Sequence, residues 1–305
     1  MSQFPLVSII TVNYNQSAAT CDMLASLYAS GYPNMEVWVV DNASPSDTPE
    51  VIKEKFPQVI FIQSDKNLGF AGGNNLALQQ AQGDYFYLIN NDTIVPQGHI
   101  EQLVSVLASD ASVGVVSPKI KFYATPDIIQ FAGYTDMTRY SFRNKSIGYG
   151  ECDNGKYDQI CDSAFAHGAA MMLKREVVGQ TGLMNEHYFL YYEELEWSAR
   201  IKKAGYRIIY VPDTYILHKE SLSTGKSSLL QTYYMNRNRL LFTRCTASGS
   251  RKIIGILYQI FIAMPKNIFV ELVHAHSQKA FVILKAWWWN VKNMGNLTYC
   301  SFGHI

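Results

Sequence analysis

Charge is scarce in this chain, and neither sign dominates. Of 305 residues, 26 are Lys or Arg and 25 are Asp or Glu, together 17%. The net charge of +1 removes the global electrostatic case for nucleic acid as a partner. Five cysteines are present (Cys21, Cys152, Cys161, Cys245 and Cys300) with no CxxC pair among them. Their odd number suits reduced thiols better than a disulfide framework, and their spacing gives no support for structural zinc. No basic region opens the chain, and the apolar run at residues 6–12 is too short for a secretory signal, so a cytoplasmic protein is expected. Nor is there an obvious membrane span. The longest apolar block, residues 253–264, contains Gln259 and meets Pro265; as a helix it reaches only ~18 Å, short of a ~30 Å hydrocarbon core.

What is there reads as a folded protein. Hydrophobic residues make up 48%, and the length suffices for a substantial core. Strand and helix signals alternate through the first part. Residues 6–12 form a continuous apolar run, as in a strand buried on both faces. Residues 17–30 carry helical spacing through Met23, Leu24, Leu27 and Tyr28. Further strands are expected at 36–40, 59–62, 85–89 and 113–117, with helices near 72–82 and 99–107. Asp47 or Thr48 is placed to cap a helix beginning at Pro49. The alternation predicts a mostly parallel α/β sheet with ligands beyond the carboxyl ends of its strands. Asn13, Asp41 and Asp92 all fall at such ends.

From 118 to 165 the pattern loosens into what reads as a long functional loop. Order returns over 165–173, with a helix near 193–204 and a strand at 207–211. A polar segment at 218–228 leads into a helix rich in aromatics and arginine. Residues 246–305 differ again: aromatic, poor in acids, and carrying "KAWWWNVK".

Several stretches could carry chemistry, and each also has a plainer reading. Asp92, flanked by Asn90 and Asn91, suits a hard divalent cation shared with a diphosphate, or merely caps a turn before Pro96. Asp41 can accept a pyrimidine imino N–H or belong to an ordinary Asp-Asn turn. The glycines of "DKNLGFAGGNN" (65–75) allow backbone N–H groups to approach a phosphate or sugar, although their spacing matches neither GxGxxG nor a Walker loop. Glu193 and Glu194 follow an apolar run; a carboxylate there serves as a base toward a hydroxyl, or favours a helix dipole. His218 can complete a metal site, and Arg237 and Arg239 can meet phosphate or solvate a helix face.

The order of these stretches is more specific than any one of them. "VSIITVNYN", "VVDNASPSDT", "NLGFAGGNN", "YLINNDTIV", "GAAMMLKREVV", "GLMNEHYFLYYEELEWSARIKKAGYRIIYVPDTYILHKES" and "YYMNRNRLLF" follow one another. Together they resemble the family 2 inverting glycosyltransferases of GT-A fold, in particular the rhamnosyltransferase-like branch. The resemblance covers about residues 5 to 245 and fades beyond. It implies a catalytic domain over 1–245 and a helical extension over 246–305, membrane-associating or dimerising. It implies a nucleoside diphosphate sugar as donor, dTDP-rhamnose by preference with UDP-sugars open, and a glycan or lipid-linked glycan as acceptor. Asp41 would bind the base near Asn13 and Asn42; Asn67, Gly69, Gly73, Asn74 and Asn91 would line the donor site. Asp92 corresponds to the last acid of the family's D-x-D motif, which here reads Asn-Asn-Asp, and with His218 it would hold Mn2+ or Mg2+. Glu194 takes the place of the base, with Glu193 beside it, where the family commonly has Glu-Asp. Arg237 and Arg239 would hold the leaving diphosphate. A sugar-nucleotide-binding protein without catalysis remains the alternative.

Overall fold

In the computed structural model, which describes residues 4–219, 228–301 and 303, strands and helices alternate at first as the apolar runs predict. Strand β1 (Val7–Asn13) leads through α1 (Ser17–Ala29) to β2 (Met35–Asp41), and α2 (Glu50–Lys55) leads to β3 (Ile60–Gln63). Helix α3 (Gly69–Leu78) precedes β4 (Tyr85–Ile89) and the two-residue β5 (Thr93–Ile94). After α4 (His99–Ser109) come β6 (Val113–Phe122), β7 (Ile129–Phe131), β8 (Cys161–Asp162) and β9 (Ala170–Lys174). Helices α5 (Arg175–Thr181) and α6 (Glu193–Lys203) precede the long β10 (Arg207–His218). The rest is helical: α7 (Leu229–Thr246), α8 (Gly249–Tyr258), α9 (Met264–Val273) and α10 (Ser277–Lys292). Most of the polar segment at 218–228 lies outside the described residues.

The strands form one sheet in the order β3-β2-β1-β4-β9-β6-β10-β5, with β7 on β6 and β8 on β10. Ladders among β1, β2, β3 and β4 are parallel, as the early alternation requires. The second half departs from that pattern, because β9 enters antiparallel between β4 and β6. Strand β1 alternates across the sheet. Ile9 packs with Val37, Leu103 and Met172 on one face, and Ile10 with Val40, Leu78 and Trp197 on the other. Both faces are thereby covered, which is why β1 is apolar at nearly every position.

Two local expectations change. Asp47 does not cap the helix that follows it; its carboxylate takes the N–H (2.6 Å) and hydroxyl (2.5 Å) of Ser17 and closes the start of α1. The cysteines are not all reduced: Cys245 and Cys300, with Cα atoms 5.2 Å apart, form a disulfide, while Cys21, Cys152 and Cys161 are free. The bond ties the end of α7 to the chain's last segment, a pairing that sequence spacing does not reveal.

Pro265 does not end its helix. A five-residue π-turn, Gln259–Ala263, joins α8 to α9. Its wider winding accommodates the proline ring where a regular ladder would clash. The resulting helix, Gly249–Val273, has 25 residues and a hydropathy of 1.7, long and apolar enough to cross a membrane by those measures. One side of it is committed to protein: Gln259 is fully buried and donates to the Thr243 hydroxyl (2.6 Å).

Candidate active site

The carboxyl ends of β1, β2 and β4 deliver a chain of polar side chains. Asn91 donates to the hydroxyl of Thr20 (2.9 Å), Thr20 to Asn13 Oδ1 (2.9 Å), and Asn13 Nδ2 to Asp41 Oδ1 (2.8 Å). Asp41 also accepts from the Ser44 hydroxyl (2.6 Å), the Ser44 N–H (3.1 Å) and Gln63 Nε2 (2.6 Å). A carboxylate offers about four lone-pair sites, so this one is saturated. Asp41 and Asn13 are fully buried and lie outside the neighbouring cavity. The expectation that Asp41 itself meets a base is therefore not met in this arrangement; Gln63 would have to swing away first.

That cavity has a volume of about 400 Å³, within the range of small-molecule sites. Asn42, Asn67 and Gly69 line one end of it. Asn42 organises the turn, giving its amide N–H groups to Asn67 Oδ1 (3.0 Å) and the Gly69 carbonyl (3.0 Å) and accepting from the Leu68 N–H (2.9 Å). Gly69 has φ +69°, and a Cβ there would lie 2.1 Å from the Phe189 carbonyl oxygen. Only glycine permits that approach. Gly73 and Asn74 do not reach the cavity. Gly73 packs on Val12, and Asn74 bonds the Phe70 carbonyl within α3 (2.9 Å).

Asn91, Asp92 and His218 line another wall. The ladder that joins β5 to β10 pairs Thr93 with His218, and the Lys219 N–H donates to the Asp92 carbonyl (2.9 Å). Asp92 Oδ1 thus stands 3.1 Å from His218 Nε2. The other ring nitrogen, Nδ1, lies 2.9 Å from Gln130 Oε1. If that oxygen accepts, Nδ1 carries the proton and Nε2 turns its lone pair toward the carboxylate. Asp92 Oδ1 is then a buried acceptor without a donor. Asn90 Nδ2 lies 3.4 Å from His218 Nε2; with this amide turned aside the two lone pairs fit a cation, and Gln130 fixes the ring as an outer ligand does. Among the described residues no group of three or more His, Cys, Asp or Glu side chains could hold a metal alone, so any ion here would take further oxygens from its ligand.

The third wall carries the acids. Glu193 and Glu194 open α6 and both line the cavity. Burial raises the Glu194 carboxyl to about 7. Burial, and then the charge of Glu194, drive the Glu193 carboxyl well above the usual carboxylate range. Two neighbouring carboxylates, one of them buried, do not readily both ionise. The pair therefore holds a proton far more firmly than ordinary carboxylates do, and Glu193, the more buried of the two, holds it the more firmly. Desolvation, and then the charge of Glu194, push up the pKa of the partly buried Tyr134. Its ring stacks on His167 at 5.6 Å and 7°, and burial holds that imidazole neutral by lowering it to about 3. Gln130, Tyr134 and His167 all line the cavity from the stretch read only as a loop; no periodicity marks them.

Arg237 and Arg239 do not join the site. Arg237 gives its guanidinium to the carbonyls of His187 (2.5 Å) and Tyr188 (2.8 Å). Arg239 is buried, 4% exposed, near Tyr192 and Tyr258. Neither lines the cavity, because α7 passes behind the loop before α6.

The carboxyl edge of this mixed sheet thus gathers a carboxylate–imidazole pair and two acids around one cavity. Residues 8–181 match the profile of Glycosyl transferase family 2, and the chain belongs to that family. It is 27% identical over 249 residues to a low-salt glycan biosynthesis hexosyltransferase of Haloferax volcanii, covering 80% of this chain and 77% of that one. It is 22% identical over 269 residues to the N-acetylglucosaminyl-diphospho-decaprenol L-rhamnosyltransferase of Mycobacterium tuberculosis, covering 80% and 86%. In fold it is similar to mannosyltransferase PcManGT from Pyrobaculum calidifontis in complex with GDP-Man and Mn2+. That likeness has a TM-score of 0.60 at 16% identity, over 97% of this chain and 88% of that one. S. aureus TarS in complex with UDP-GlcNAc gives 0.56 at 18%, over 84% and 72%.

Proposed function

We propose that this chain is a metal-dependent inverting transferase that moves a sugar from a nucleoside diphosphate to a hydroxyl of a glycan or lipid-linked glycan. The preferred donor is dTDP-rhamnose, a reading supported by the rhamnosyltransferase among its relatives. The observation that carries the proposal is the cavity shared by the Glu194 carboxyl, raised to about 7, and the Asp92–His218 pair. Asn42, Asn67, Gly69 and Asn91 border the donor end. Asp92 and His218 Nε2 would hold Mn2+ or Mg2+. Such an ion, when bound, neutralises charge on the departing diphosphate. Glu194 takes the proton of the acceptor hydroxyl while that oxygen bonds to the anomeric carbon. The bond to the diphosphate oxygen breaks on the opposite side, and a single displacement inverts the centre.

Calorimetric titration with dTDP, UDP and GDP, each with and without Mn2+, tests the donor site without an acceptor. Metal-dependent binding of one pyrimidine diphosphate is expected. Glu194→Gln should keep that affinity and lose turnover by roughly 100-fold or more. Unchanged turnover would remove Glu194 as the base, and absence of any nucleotide binding would overturn the assignment.

A further inference from the structure

The loop between the single turn Glu186–Tyr188 and α6 has the most distorted backbone near the site. Phe189, Tyr191 and Tyr192 have φ of +65°, +68° and +77°. A positive φ strains any residue with a Cβ, and no glycine relieves it here. Something must hold the path, and α7 supplies it. Asn238 Nδ2 donates to the carbonyls of Tyr188 (2.9 Å), Leu190 (2.9 Å) and Tyr191 (2.7 Å). Its two amide hydrogens are shared among three acceptors in a fully buried place. Arg237 adds the His187 and Tyr188 carbonyls, and its Nε donates to Asn238 Oδ1 (2.7 Å). From the far side the Phe70 N–H donates to the Phe189 carbonyl (2.7 Å).

Arg237 is itself fixed. Its guanidinium lies over Tyr234 (4.6 Å) and Trp289 (4.8 Å), and Asn290 Nδ2 bonds its carbonyl (3.0 Å). The clamp therefore runs from α10 through α7 into the loop. Phe189, Leu190 and Tyr191 line the cavity, and the next residues but one are Glu193 and Glu194.

We propose that Arg237 and Asn238 are positioning residues: by holding the carbonyls of His187, Tyr188, Leu190 and Tyr191 in this strained path they fix where Glu194 stands. The inference rests on Glu194 being the base. Neither residue borders the cavity, so each acts through the loop. A displacement of about 1 Å at a reacting group costs roughly 100-fold in rate, and loss of three carbonyl contacts permits a shift of that order.

Asn238→Ala is the direct test, with Arg237→Lys as a second variant that keeps the charge and loses the planar fork. In folded protein, kcat should fall roughly 100-fold, with KM for the donor and the affinity for the nucleoside diphosphate within about twofold of wild type. The acid limb of the pH–rate profile should move to lower pH, because water admitted to Glu194 relieves its desolvation. Amide exchange at 189–194 should quicken. Wild-type kcat, pH limb and exchange in both variants would overturn the proposal, as would equal losses of kcat and nucleotide affinity. If Asn238→Ala does not fold, Arg237→Lys decides by the same readouts. A wild-type chain without any turnover, or with turnover indifferent to Glu194→Gln, would sink the glycosyl-transfer reading instead.

Discussion

At the scale of single residues, burial sets the chemistry of Glu194. Desolvation of its carboxyl holds its proton up to about 7, and a base must lose that proton before it can accept another. Activity should therefore fall as pH drops through about 7, not through the ordinary carboxylate range near ~4.3. The stability effect has the opposite sense. The folded chain binds this proton more tightly than the unfolded one, so the contribution to stability is full below the unfolded value and declines as pH rises toward 7. Glu194→Gln should thus gain thermal stability over wild type, more at pH 8 than at pH 5, while losing turnover. Melting curves across that range, beside a pH–rate profile, check both signs. Equal midpoints at pH 8 would mean that the carboxylate is better solvated than its surroundings indicate. Some of this was legible in the sequence and some was not. Glu193 and Glu194 stood out because two acids end an apolar run, but which one holds its proton depends on burial that no pattern encodes. Gln130 was invisible, since its role exists only once β7 has brought it to His218.

At the scale of elements, the most exacting contact is the crossing of α3's first turn with the loop before α6. Gly69→Ala would place a Cβ 2.1 Å from the Phe189 carbonyl at a φ of +69°. The strain and the clash together should cost roughly 2 kcal/mol or more. They should also push the loop from its place, so lower turnover is expected together with a lower melting midpoint. An unchanged midpoint would show that the two segments part readily. Elements with one dominant period were readable: β4 runs from Tyr85 to Ile89 as its apolar run predicts, and α1 follows its helical spacing. The later strands were not. β10 was expected to stop at Val211 before Pro212 and Asp213, yet it continues to His218 through a register shift between Val211 and Tyr215. Such a bulge admits a proline and re-aims the strand. That continuation brings His218 beside Asp92, and it depends on pairing with β6 and β5 that local sequence does not announce.

At the scale of the whole molecule, the C-terminal helices leave an unusual surface. Ile253, Leu257, Phe261, Ile262, Phe269 and Val273 on the α8–α9 helix are half to two-thirds exposed, as are Phe281 and Trp288 on α10. Across residues 246–305 the cations are Arg251, Lys252, Lys266, Lys279, Lys285 and Lys292, against Glu271 as the single acid. Apolar and aromatic side chains interspersed with lysines suit the interface of an anionic bilayer, where rings insert and ammonium groups stay at the headgroups. The buried Gln259 contact with Thr243 and the packing of Ile260 and Met264 on Leu240 commit the other side of the helix to α7. A helix so held is expected to lie along a bilayer surface in preference to crossing it. The purified chain should therefore float with vesicles containing anionic lipid and much less with zwitterionic ones. Phe261→Ser with Phe269→Ser should weaken that binding about tenfold or more, given the burial worth of a phenylalanine. The same variant should keep nucleotide affinity, because these residues lie apart from the cavity. Binding indifferent to lipid charge and to both substitutions, with a doubled mass in solution that the substitutions halve, would assign the surface to a second copy of the chain.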